Sequence, residues 1–247
     1  MNTRFFSRAF LAFCASALAA SAASLTNRYE FNGNLKDSVG ALHGVGTQAG
    51  EASAPVSFDA GRPAGASGPI ASLRVGHVEG TVSGFTIRNF AAAETGSVSF
   101  WFKSERANAG EGADWILNAG GTYNKDFRVG VSANGSMLEA NIAKTNGGLG
   151  RLKEDTWYHV VITWDKAAGT AKVYLDGAPS SKVREWTDPE LFQPNAIRVG
   201  NWAFSPRYVV NQFSGLIYDL QIYSGELTPE EVKRLFAAPG SVAGSAR

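Results

Sequence analysis

Between residues 184 and 208 the chain sets aromatic rings among charged and amide side chains. Such a mixture can stack on a sugar ring and hydrogen-bond its hydroxyls. Trp186 stands among Arg184, Glu185 and Asp188; Trp202 follows Asn201 and precedes Phe204, Arg207 and Tyr208. Bulky rings in loop-like sequence are costly unless they are covered or used. Trp186, Trp202, Tyr208, Arg184, Asp188 and Asn201 are therefore the predicted ligand contacts. The competing expectation is that these rings pack over the rim of the fold. Acid–base chemistry has less to draw on. Glu154 and Asp155 are adjacent, and Glu185 and Asp188 stand three apart. His43 and His77 sit alone in glycine-rich sequence, and no serine elbow, phosphate loop or paired-histidine metal motif occurs. Asn134-Gly135-Ser136 matches a glycosylation sequon, but Asn-Gly is first of all a hairpin turn.

These side chains must be positioned by strands. Asp155 to Gly177 reads DTWYHVVITWDKAAGTAKVYLDG, two alternating runs around a short Gly-containing linker, closed by Asp-Gly. Period-two alternation of β-branched and aromatic residues marks strands covered on one face, and such a hairpin needs a second sheet over it. Further strands are predicted near Arg28–Phe31, Val56–Phe58, Ala71–Val75, Phe85–Phe90, Ser97–Lys103, Trp115–Asn118, Phe127–Ser132, Met137–Ala143, Ala196–Gly200 and Gly215–Tyr223. About a dozen short strands punctuated by glycine describe an all-β sandwich or jelly roll. Alternation predicts an inner face of Val98, Phe100 and Phe102, another of Val173 and Leu175, and a third of Leu216, Tyr218, Leu220 and Ile222. Thr228-Pro229-Glu230-Glu231 predicts one helix: a capping hydroxyl, proline at the first helical position, and glutamate three residues after the cap. Its apolar stripe is Val232, Leu235 and Phe236, and Pro239-Gly240 ends it.

The N-terminus reads as an export signal. Arg4 and Arg8 flank a short basic region, Ala9 to Leu18 is apolar, and Ala20-Ser21-Ala22 is a small-residue cleavage site. The expected division is a signal peptide over residues 1–23, one domain over 24–240 and a loose tail over 241–247. The sole cysteine, Cys14, lies inside the signal, so the mature domain is expected to hold no disulfide, thiol nucleophile or cysteine–zinc site. The formal net charge is +1, and no basic block suggests nucleic acid.

Four stretches in order carry a resemblance: YEFNGNLKDSVGALHG, SVSFWFKSE, DTWYHVVITWD with AKVYLDG, and FSGLIYDLQIYSGELTPEEVKRLF. Together, over about Leu25 to Ala238, they resemble the LamG-like jelly-roll family of the concanavalin A-like lectin/glucanase fold. The resemblance implies two curved antiparallel sheets and a non-catalytic module that binds glycans or proteins. Trp101 and Trp157 resemble the family's packing residues. Glucanases of that fold line up carboxylates as Glu-x-Asp-x-(x)-Glu, an array this chain lacks. Lyases of the fold use a His/Tyr pair; here Tyr158 and His159 are adjacent, so one strand points them to opposite faces. Many members carry calcium, for which Asn32, Asn34 and Asp37 in the first turn are the candidate ligands; Asx turns would equally explain them. The family's closing strand carries an aspartate after its first isoleucine, where this chain has Tyr218 and places Asp219 one residue later. The expectation is a secreted or periplasmic binding module whose partner is a glycan or a surface protein. No nucleic-acid partner and no membrane insertion after cleavage are expected. A carbohydrate-active hydrolase or lyase with a non-standard site, or a structural envelope or matrix protein, are the alternatives.

Overall fold

A computed structural model of the chain describes residues 22–46, 56–76, 83–105, 114–119, 127–132, 137–143, 145–180, 182–188, 190, 192–200 and 213–244. The strands among them are β1 (Ser24–Tyr29), β2 (Val45–Gly46), β3 (Ser57–Asp59), β4 (Ser72–Val75), β5 (Phe85–Ile87), β6 (Thr95–Ser104), β7 (Asp114–Ala119) and β8 (Phe127–Val131). They continue with β9 (Met137–Ile142), β10 (Thr145–Arg151), β11 (Trp157–Asp165), β12 (Thr170–Leu175), β13 (Ala178–Pro179), β14 (Arg184–Glu185), β15 (Ile197–Val199) and β16 (Gly215–Ser224). One helix, α1 (Pro229–Ala237), follows.

Two antiparallel sheets result. The large one runs β13-β12-β11-β6-β16-β4-β3, with β1 also on β16 and β14 also on β12. The small one runs β10-β9-β8-β7-β15-β5-β2. Their facing sides make one continuous core, in which Val98, Phe100, Phe102, Val160, Ile162 and Trp164 of the large sheet meet Phe85, Leu117, Phe127, Val129, Leu138 and Ile197 of the small one. Each such side chain contributes about 1.5–3 kcal/mol by leaving water, which is how a domain of this size coheres without a disulfide. The β12–β13 connection is the expected Asp-Gly turn: Asp176 and Gly177 have φ of 50° and 77°, the doubly positive pair that a type I′ hairpin requires.

The predicted inner faces of β6 and β12 hold; that of β16 holds only in its second half. Leu220 and Ile222 join the core, whereas Tyr218 lies outside it, paired with Trp101. The cause is a bulge between Tyr218 and Gln221, with Asp219 at φ 50°, which resets the alternation by one residue. The outer side of the large sheet is covered by α1. Thr228 caps the helix through the full capping box, and Val232 and Leu235 pack on Val161, Tyr174 and Tyr223. The stretch after the helix, expected to be loose, is tied down as far as Ala243: Ser241 O accepts from Gln221 and Ala243 N donates to Tyr223.

Candidate functional site

Of the six predicted ligand contacts, Asn201, Trp202 and Tyr208 lie outside the described residues, as do Phe204 and Arg207. Asp188 and Glu185 are exposed, and Asp188 closes a local turn by accepting from Glu190 N at 3.0 Å. Trp186 and Arg184 are not exposed loop groups. Trp186 belongs to the core, its ring 4.9 Å from that of Phe192 in a stack that continues to Phe127. Arg184 is 1% exposed. The short strand β14 had no sequence signal, and its pairing with β12 carries both side chains inward.

In the first turn the side-chain oxygens expected for calcium accept hydrogen bonds from the chain's own N–H groups. Asp37 Oδ1 accepts from the backbone N–H of Arg28, Val39 and Gly40, and Oδ2 accepts from Asn27 and from Leu42 N, all between 2.6 and 3.2 Å. These hydrogen bonds favour the charged form and hold its pKa low against the opposing effect of burial. Asn34 Oδ1 is taken by Lys36 N, and Asn32 Oδ1 by Ile70 N. Calcium needs six to eight oxygens free to turn toward it. Here Asn34 and Asp37 close local Asx-type turns, while Asn32 and Asp37 also accept from residues distant in the chain.

A second group of polar side chains lines the outer face of the small sheet. Inner residues of β8 and β9 alternate with Arg128, Gly130, Glu139 and Asn141 on that face. Register aligns one row across five strands: Thr86 opposite Arg198, Arg198 opposite Asn118, Asn118 opposite Arg128, and Arg128 opposite Asn141. The next row sets Trp115 beside Gly130 and Glu139. Gly130 leaves room for the indole, and the Arg128 guanidinium lies over it, 4.9 Å from the ring centroid. The middle of this strip is recessed: Asn118, Arg128 and Trp115 are buried, while Thr86, Arg198, Glu139 and Asn141 are half-buried. Burial, and then the positive charge of Arg88, pull the Arg198 guanidinium below its usual range. Thr86, Arg128 and Arg198 also make further interactions.

Asn118 is different. It is fully buried, and neither its amide oxygen nor its amide nitrogen has a hydrogen-bond partner. A buried polar group in that state costs about 1–3 kcal/mol, which native folds rarely tolerate without a use. Alternation places Asn118 and Arg128 in predicted strands, but only the pairing of those strands reveals that they are neighbours.

His43, His159, Trp101 and Trp157 are engaged in packing or hydrogen bonds, and His77 lies outside the described residues. Tyr158 and His159 do point to opposite faces, Tyr158 onto Phe102 in the core and His159 under α1. His159 Nε2 is 2.9 Å from Ser99 Oγ, and burial drives its pKa down to about 3. Trp101 stacks on Phe236 and His159, and Trp157 packs edge-on against Tyr218. His43 Nδ1 accepts from Asp37 N at 3.2 Å. Among the described residues no group of three or more His, Cys, Asp or Glu side chains converges.

The fold is shared with several solved structures. Domain 4 of AbnA, an extracellular arabinanase of Geobacillus stearothermophilus solved in complex with arabinotriose, superposes with a TM-score of 0.63 at 22% identity, covering 87% of this chain and 98% of that domain. A structure of botulinum neurotoxin type C, whose cell entry depends on two ganglioside molecules, gives 0.60 at 13% identity over 87% of this chain, which spans 51% of that one. A heptameric SAP-like pentraxin of Limulus polyphemus gives 0.53 at 16% identity over 69% of this chain and 84% of its own. No curated protein matches the chain in sequence. Residues 79–233, more than half of the chain, match the laminin G-type family model of the Concanavalin A-like lectin/glucanases superfamily, and to that family the chain belongs.

Proposed function

We propose that the chain is an exported, non-catalytic module that binds glycan along the recessed strip on the outer face of the small sheet. The carrying observation is Asn118, a buried amide with both hydrogen-bonding atoms unpartnered. A sugar hydroxyl donates and accepts at once, so one hydroxyl pair can satisfy both atoms of an amide. Trp115 adds an aromatic ring beside it, and Arg128 and Arg198 flank it with guanidinium donors. The strip carries one carboxylate, Glu139, among the described strand residues of that face, where glycoside hydrolysis needs two. That favours holding a sugar over cleaving one. The arabinanase domain and the ganglioside-dependent toxin lend the reading support through their shared fold. Export rests on the basic and apolar N-terminal segment ending at Ala20-Ser21-Ala22.

A glycan array probed with the purified domain tests the reading, with Asn118→Ala and Trp115→Ala as controls. Binding that drops about tenfold or more in either variant is expected. Binding unchanged in both would move the site elsewhere, and new reducing or unsaturated ends after incubation with polysaccharides would make the protein an enzyme. N-terminal sequencing of the exported form is expected to begin near Ser24.

A further inference from the structure

Arg184 faces the inside of the sandwich. It pairs with Ala171 on β12, a fully buried core residue, so both side chains project to the same inner side. Across the gap, Gly147 on β10 pairs with Ala140, also fully buried. A Cβ at Gly147 would stand 2.8 Å from Nη2 of Arg184. Glycine at that place is what lets the guanidinium reach from the edge of the large sheet to the edge of the small one.

The reach leaves the cation poorly served. Nη2 donates to the Gly147 carbonyl at 3.5 Å, the long limit of a hydrogen bond, while Nε and Nη1 have no partner and the residue is 1% exposed. Burial alone depresses its pKa, with no neighbouring acid to hold it up. A guanidinium does not shed its proton in a protein, and an unpaired buried charge costs far more than an unpaired amide. Elsewhere this chain answers the problem from its own residues: Arg28 has Asp219 at 2.7 Å, and Arg74 has Glu105 at 2.7 Å and Asp59 at 2.9 Å. Among the described residues no acid does the same for Arg184.

We propose that Arg184 holds a small monovalent anion, chloride or a carboxylate the size of formate, at the seam between β10 and β14. The anion supplies the missing charge and acceptor and fastens the outer strand of the small sheet to the large one. Water would satisfy the donors but leave the charge uncompensated.

Thermal melting of the purified chain at constant ionic strength tests this, with chloride, bromide or formate exchanged against gluconate. The wild-type midpoint is expected to rise by about 5 °C between gluconate alone and saturating chloride. Bromide and formate should substitute, and Arg184→Met should melt alike in all four. Equal wild-type melting in every anion, or a variant that keeps the wild-type dependence, overturns the proposal. Crystals grown in bromide give a readout that needs no variant. An anomalous bromide peak within hydrogen-bonding reach of the Arg184 guanidinium is expected, and water alone at that place would overturn the site.

Discussion

The outer faces of the two sheets handle buried polar groups in opposite ways. On the large sheet most of the groups close on one another, although Tyr218 Oη and His159 Nδ1 have no partner. Arg28 forks onto Asp219, Gln221 donates to Asp219 and to Ser241 O, and Tyr223 donates to Gln221 while accepting from Ala243 N. The helix and the segment after it seal that network, so its polarity is spent on holding the C-terminus in place. On the small sheet Asn118 lies equally buried between two guanidiniums with its amide open. A closed network specifies structure; a buried amide with neither atom partnered is the feature on which the proposed glycan site rests.

Asp219→Ala should have the largest effect, because it strands Arg28 without its buried partner. A loss of about 3–5 kcal/mol in urea unfolding is expected, with glycan binding intact in what remains folded. A loss below about 1 kcal/mol would mean that the large-sheet network is not structural.

Acid should weaken the same face through His159. Its folded pKa is about 3, below the ordinary 6.5, so on acidification the unfolded chain takes up the proton first. Stability is fully present above pH 6.5 and falls by about 1.4 kcal/mol per pH unit between 6.5 and about 3. Replacing His159 with Phe should remove this share of the pH slope, and an unchanged slope would assign it to other groups.

Asn118→Leu sharpens the contrast from the other side. Removing an unsatisfied buried amide should leave stability level or raise it by about 1 kcal/mol while glycan binding collapses. A strongly destabilised Leu variant would show that the amide is structural after all. The smallest effect concerns calcium. With the turn oxygens of Asp37, Asn32 and Asn34 engaged, a chelator should not move the melting midpoint, and a drop on chelation would reopen that turn as an ion site.

Much of the architecture was legible because burial on one face writes period two into a strand. That held for β6, β11 and β12, and the capping box announced α1. It failed where the chain departs from an ideal pleat or where a strand carries no hydrophobic pattern. The bulge at Asp219 turned Leu216 and Tyr218 away from the expected inner face. The glycines of β10 and the two-residue β14 looked like loop, so Trp186 and Arg184 were read as exposed. Asp37 illustrates a different limit, since oxygen atoms suited to calcium are equally suited to backbone N–H groups, and composition does not say which reaches them first.

By itself the sequence determined most of the longer strands, the inner faces of β6 and β12, the capped helix and the family, since each depends on local spacing and on which residues avoid water. Only the tertiary structure decided which polar residues become neighbours. Asn118 and Arg128 lie on consecutive strands and Arg198 on one much later in the chain, and antiparallel register brings all three into one row. Whether a buried polar atom finds a partner is likewise a property of packed surfaces, invisible in any single strand.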